Sequence, residues 1–301
     1  MSGEKEKSTV TSAPPSPSPS SVAPSVEFSK GINGLQKVIL RESRGSSAEV
    51  YLYGGHVTSW KNDHGEELLF LSSKAIFKPP KAIRGGIPIC FPQFASHGTL
   101  DQHGFARNRF WAVDEDPPPF PTNTLNKAFV DLILKPSEED TKIWPHSFEY
   151  RLRIALGPGG DLMLTSRIRN TNSDGKPFSF TFAYHTYFSV SDISEVRVEG
   201  LETLDYLDNL QNKERFTEQG DALTFESEVD KIYLSTPTKI AIIDHEKKRT
   251  FVLRKDGLPD AGEYYQAYLI CLIYVCPIHK VLSGTPFIVF AFIFPFFLVG
   301  Y

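Results

Sequence analysis

Phe148-Glu-Tyr-Arg-Leu-Arg-Ile-Ala-Leu156, the breaker run Gly157-Pro-Gly-Gly160, and then Leu162-Met-Leu-Thr-Ser-Arg-Ile-Arg169 form the stretch that decides the fold. From Phe148 to Ile154 charged and apolar side chains alternate. In an extended chain that period sends one set to each face of a sheet, as a strand with one wet face requires. The glycines and proline between the two runs supply a turn, so the pair predicts antiparallel neighbours. Working outward, short strand-like segments recur at 48–53, 68–71, 109–114, 128–134, 178–183, 204–207, 231–234, 239–243 and 250–253, separated by breakers such as Gly54-Gly55 and Asn172-Ser-Asp-Gly175. No long stretch carries a 3.6-residue period and no fixed repeat is visible. The pattern predicts an all-β protein, a large antiparallel β-sandwich.

A chain of 301 residues, 41% hydrophobic and 13% aromatic, can bury one large core. Lys and Arg total 32 against 36 Asp and Glu, a formal charge of −4, so nothing global favours a nucleic acid or an anionic membrane as partner. A small anionic ligand would need a local basic cluster. The cysteines Cys90, Cys271 and Cys276 are too few for a disulfide framework and form no C-x-x-C pair. A reducing, cytoplasmic setting is therefore expected. Residues 1–25 mix Lys and Glu with Ser and Pro, lack the apolar core of a signal peptide, and read as a disordered leader.

Beyond Gly262 the character changes. From Tyr264 to Tyr301 the only formally charged side chain is Lys280, and Phe287 to Val299 is almost wholly hydrocarbon and aromatic. The domain expectation is thus a leader at 1–25, a sandwich at 26–261 and an atypical hydrophobic tail at 262–301.

Four clusters could carry chemistry. Arg84-Gly-Gly-Ile-Pro-Ile-Cys-Phe-Pro-Gln93 sets an arginine beside two glycines that let backbone approach a ligand; alone, such a turn is more often plain surface. Gln102-His-Gly-Phe-Ala-Arg107 gathers an amide, an imidazole and a guanidinium, groups suited to hydroxyls and phosphate. Phe178-Ser-Phe-Thr-Phe-Ala-Tyr-His-Thr-Tyr-Phe188 places His185 at the end of a strand-like run, where an isolated histidine is ordinarily a core residue. Glu228-Val-Asp-Lys-Ile-Tyr233 offers Asp230 as an acceptor for sugar hydroxyls or as a solvated acid. A metal site is not expected, because His97 and His103 have no partners at ligand spacing.

Together these stretches, with Val198 to Asp205, resemble the glucose-6-phosphate 1-epimerases of the galactose-mutarotase-like fold, over residues 26–261 in continuous order. The resemblance implies a mutarotase supersandwich and an isomerase that interconverts the anomers of a hexose 6-phosphate without cofactor. It implies His185 as general acid, Arg84, Gln102 and Arg107 as substrate-binding residues, Asp230 as the holder of sugar hydroxyls, and His103 as an assistant. In that chemistry a carboxylate takes the anomeric proton and an imidazolium protonates the ring oxygen, so the ring opens, the C1 carbonyl turns and the ring recloses.

The sequence departs from the family after Ala261. The Trp-Asn-Pro-Trp-like stretch and the Cys-Val-Glu-Ala strand with the catalytic base are absent, and no Asp or Glu follows Glu263. Two readings of the tail compete: codons foreign to the family after a splice or gene-model junction, or a membrane anchor in the uncharged residues 281–301, close to the roughly 20 residues of a spanning helix. The last strands of the sandwich are accordingly expected to be missing or replaced and the activity impaired. The alternative function is a catalytically inactive phosphosugar-binding or regulatory protein.

Overall fold

The computed structural model describes residues 23–96, 98–119 and 126–256, and the backbone of the strands within 261–297. The described strands form three antiparallel sheets. The smallest holds β1 (Ser25–Lys30), β2 (Gln36–Arg41), β3 (Ser47–Tyr51) and β4 (His56–Lys61) in sequential order. The largest runs β14 (Leu223–Thr224), β11 (Val196–Glu199), β16 (Lys239–Asp244), β17 (Arg249–Asp256), β20 (Pro286–Phe297), β9 (Leu162–Asn170), β8 (Phe148–Leu156), β7 (Ala128–Leu134), β6 (Ala112–Val113). The third runs β13 (Glu214–Thr217), β12 (Asp205–Asp208), β15 (Asp230–Tyr233), β18 (Ala261–Gln266), β19 (Leu269–Val281), β10 (Phe178–Ser189), β5 (Ile89–Cys90). One six-residue helix, α1 (Glu138–Ile143), is closed at its start by a capping box from Ser137 and Asp140.

The deciding stretch behaves as its alternation requires. Phe148 pairs with Asn170 and Leu156 with Leu162 across the glycine turn, and Phe148, Tyr150, Leu152, Ile154 and Leu156 are all buried in the core. The opposite face is not simply wet. Arg153 forks onto both oxygens of Asp131 at 2.7 Å and Arg151 reaches Asp114 at 2.7 Å, so the charged set is a row of ion pairs along β7 and β8. Inside the sandwich the two large sheets are tied by a polar chain, Tyr150 to Ser166 to Tyr184, with both oxygen contacts at 2.7 Å. Tyr184 is on β10, so this chain and the ring of Phe182 hold the core face of that strand.

Two expectations are corrected here. The run from Phe178 does not end at His185: β10 continues to Ser189, because Thr186, Tyr187 and Phe188 keep the β-type composition and β19 pairs with the strand along its length. Residues 68–71 form only isolated bridges, Leu69 to Phe188 and Leu71 to Gly85, since this segment bends around the edge of β10. The tail replaces strands rather than leaving the sandwich short of them. β18 and β19 fill the third sheet between β15 and β10, and β20 joins β17 to β9 in the largest sheet. No helix among the described residues is long and apolar enough to cross a membrane. The expected disordered leader lies, up to residue 22, outside the described residues, as does His97.

Candidate active site

Alternate residues of β10 face opposite ways, so Tyr184 and Phe182 point into the core while His185, Tyr187 and Ser189 share the outer face. His185 is nonetheless only 7% exposed, because the loop that follows β5 folds over it. Gln93 organises that loop: its amide donates to the carbonyls of Ala95 and Leu100 at 3.0 Å and accepts from the Leu100 N–H at 3.1 Å. The loop closes where the His103 N–H donates to the Ala95 carbonyl and the Ala95 N–H donates to His103 Nδ1 at 3.1 Å. The accepting Nδ1 leaves the proton of the neutral ring on Nε2. His103 has φ +68°, a strained value for a residue with a side chain. Gly104 follows at φ +67°, where a Cβ would lie 2.4 Å from the Phe91 carbonyl oxygen, so only glycine fits.

The consequence is a tight group of cationisable side chains. The His103 and His185 rings meet edge to face with centroids 5.3 Å apart. Tyr187 stacks on His185 at 4.5 Å and 16°. Arg107, on the short turn that continues from the His103 loop, donates from Nη2 to the Gln102 carbonyl at 2.7 Å, while its buried Nε has no hydrogen-bond partner among the described residues. Gln102 itself is exposed on that turn. Behind the group stands fully buried His56, whose Nε2 is 2.7 Å from the Gly85 carbonyl and whose Nδ1 is unpartnered among the described residues. His56 was not singled out from the sequence. A histidine after Gly54-Gly55 is its only local sign, and its contact with position 85 is set by tertiary folding.

Burial, with the charge of Arg107 added, lowers the pKa of His103 to about 4. For His56 burial again leads, the Gly85 bond opposes it, and the value is about 4. Burial and then the charges of His103 and Arg107 bring His185 to about 3. A histidine whose folded pKa lies below its unfolded value contributes stability that is fully present above the unfolded value near 6.5 and is lost as pH falls towards the folded one. The unfolding free energy should therefore fall between pH 6.5 and 5, before most carboxylates titrate, by about 1.4 kcal/mol per pH unit for each histidine still neutral in the fold, and the urea midpoint should fall with it. A midpoint level across that window would mean the three rings are not held neutral.

Of the remaining expected residues, the strand register brings Asp230 but not Arg84 onto this face. Residues 86–90 run antiparallel to β10, with Tyr184 opposite Ile89, the His185 N–H on the Pro88 carbonyl and the Tyr187 N–H on the Gly86 carbonyl. Beyond Gly86 this segment leaves β10: Ser189 donates to the Leu68 carbonyl instead, Gly85 bridges to Leu71, and exposed Arg84 accepts through its carbonyl from the Ser72 N–H, so Arg84 is not brought onto the His185 face by this pairing. In the other direction His185 is opposite Ile273, Ile273 opposite Gly262, and Gly262 opposite Ile232, which puts Asp230 on the His185 face. Three strand spacings and a two-residue offset along β15, about 16 Å in all, separate them. That distance suits a group holding the far side of a pyranose ring, not one sharing a proton with His185. Half-buried Asp230 accepts from Asn209 Nδ2 at 2.7 Å. Burial raises its pKa, with Asp208 and Glu228 adding to the rise and Asn209 and Lys213 opposing it. Glu263 is opposite Lys231 and Leu272, so its position belongs to the other face. Among the described residues no group of three or more His, Cys, Asp or Glu could hold a metal ion.

Similarity to known proteins agrees with this architecture. A protein of Cenchrus ciliaris, provisionally named glucose-6-phosphate 1-epimerase, is 76% identical over 239 residues, 79% of this chain and 73% of that protein. One of Salmonella typhimurium with the same provisional name is 35% identical over 67% of this chain and 65% of its own length. Among solved structures, a Salmonella typhimurium protein described as a provisional mutarotase superposes over 90% of this chain and 96% of its own with a TM-score of 0.75 at 24% identity. A galactose mutarotase-like protein of Clostridium acetobutylicum gives the same TM-score over 92% of this chain and 99% of its own at 15% identity; these two share the fold. The profile of the family named aldose 1-epimerase matches residues 36–268, and with His185 on the sheet and His103 and Arg107 brought over it by the loop after β5, the chain belongs to the aldose 1-epimerase family.

Proposed function

We propose that the protein acts on a hexose 6-phosphate and interconverts its α and β anomers, with His185 as the acid that serves the ring oxygen. The observation that carries this reading is the clustering of His103 and Arg107, from the loop and turn after β5, over His185 of β10, with Asp230 further along the same sheet face. A neutral sugar needs hydroxyl partners; a guanidinium among imidazoles suits a phosphate. In this arrangement Asp230 holds ring hydroxyls, Arg84, Gln102 and Arg107 bind the substrate, and His103 lies against the acid. The relatives named glucose-6-phosphate 1-epimerase support the substrate class. No cofactor takes part, and the reading needs only a small phosphosugar as partner.

Among the described residues the anomeric proton finds no carboxylate acceptor beside His185. The strand positions on the His185 face of β18 and β19 are Gly262, Tyr264, Gln266, Leu269, Cys271, Ile273 and Val275, none a carboxylate. Water is then the acceptor and turnover is slow. The same observation favours the second reading, a protein that binds phosphosugars without turning them over. NMR magnetisation transfer between the anomers of glucose 6-phosphate, measured beside a binding titration on the same preparation, separates the two. Exchange faster than in buffer supports the epimerase; binding with exchange at the buffer rate supports the binder.

Phosphate recognition can be tested apart from turnover. A fork-shaped guanidinium presents paired donors that an ammonium cannot, so Arg107→Lys should weaken glucose 6-phosphate about tenfold or more while leaving glucose nearly unaffected. Equal losses for both sugars would remove Arg107 from the phosphate.

A further inference from the structure

His185 carries a tension that the proposed reaction must resolve. An acid has to be protonated when the ring oxygen needs it, yet the surroundings of this ring repel a proton. The groups facing it come from every element packed there: Tyr187 on its own strand, His103 on the loop after β5, Arg107 on the following turn, His56 on β4, Cys90 on β5, and positions Cys271, Ile273 and Val275 on β19. Arg107 is the permanent charge in this set, and it also bears on His56, His103 and Cys90. Its buried Nε lacks a hydrogen-bond partner among the described residues. A buried guanidinium N–H left unpaired is costly, and a phosphate oxygen is a strong partner for it.

Resting on the phosphosugar reading above, we infer that the substrate's own phosphate switches the acid on: by lying against Arg107 it offsets the guanidinium charge and lets the His185 imidazole take up the proton that the ring oxygen will receive. A phosphate monoester brings about two negative charges near pH 7. One meets Arg107 and the remainder favours a cation at the adjoining imidazoles. The proton then passes from the imidazolium to the ring oxygen as the C1–O5 bond breaks and its electron pair moves to that oxygen. The anomeric hydroxyl gives its proton to water as the C1 carbonyl forms, and the neutral imidazole is reprotonated when the ring recloses. Phosphate here determines specificity through chemistry as well as through binding: a neutral sugar seated in the same place finds the acid unprotonated.

The test uses the full chain in a polyoxyethylene detergent, with histidine labelled at Cε1 and the His185 signal assigned by its loss in His185→Asn. Titration from pH 3 to 9 is compared in chloride and in inorganic phosphate at equal ionic strength. Phosphate should move the His185 midpoint upward by about one to two pH units, and in Arg107→Gln that phosphate-dependent movement should vanish. Added phosphate should also speed glucose anomer exchange about tenfold over the rate with His185→Asn protein, which subtracts catalysis by the phosphate itself. A His185 midpoint that bound phosphate leaves in place overturns the inference, even if glucose 6-phosphate is turned over. A midpoint moved equally in Arg107→Gln overturns it too. Absence of any glucose 6-phosphate exchange, with the midpoint still moved, counts instead against the epimerase reading.

Discussion

Replacing residues 262–301 with the corresponding ending of the Cenchrus ciliaris relative is expected to convert an associating, slow protein into a monomeric, fast one. The composition of the tail explains the association. β20 carries Phe287, Phe290, Phe292, Phe294, Phe296 and Phe297 and no formally charged residue. An uncharged, aromatic-rich segment of high β-propensity is of the composition that self-associates. Expressed without detergent, the 301-residue chain should pellet or run as concentration-dependent assemblies, and Phe292→Lys with Phe294→Lys should shift it towards monomer without altering the His185 site. The relative's ending should also raise anomer exchange by about 10²–10⁴-fold, the usual worth of a positioned acid–base partner, if it restores the carboxylate that the resemblance implies. A soluble, monomeric and fully active 301-residue chain would contradict both halves and point to an acid elsewhere on the face.

The second large effect concerns His185 in the protein bearing that ending. His185→Ala should lower kcat by about 10²–10⁴-fold with a smaller change in the affinity for glucose 6-phosphate, because the phosphate is assigned to Arg107. Near-normal turnover would leave His185 as an imidazole filling the space beside Tyr187 and His103.

How much of the site was legible beforehand depends on the range of the contacts. Arg84, Gln102, His103, Arg107, His185 and Asp230 were all nameable as chemistry-bearing side chains. Their arrangement was not: Asp230 reaches the His185 face only through two intervening strands, β18 and β19. Glu263, the last acid of the chain, is set on the opposite face by the register of the same strands.

Local composition determined the antiparallel sandwich, because alternation of side chains is a property of neighbours in the chain and needs no partner to be read. It also determined that the tail contains no family-type carboxylate. Tertiary structure decided what sequence spacing could not express. The tail became strands β18, β19 and β20 because pairing supplies partners for backbone N–H and C=O groups along β15, β10, β17 and β9 that would otherwise be left bare. It also brought His56, His103 and His185, far apart in the chain, around one guanidinium, where burial and like charge act together to keep their rings neutral until an anion arrives.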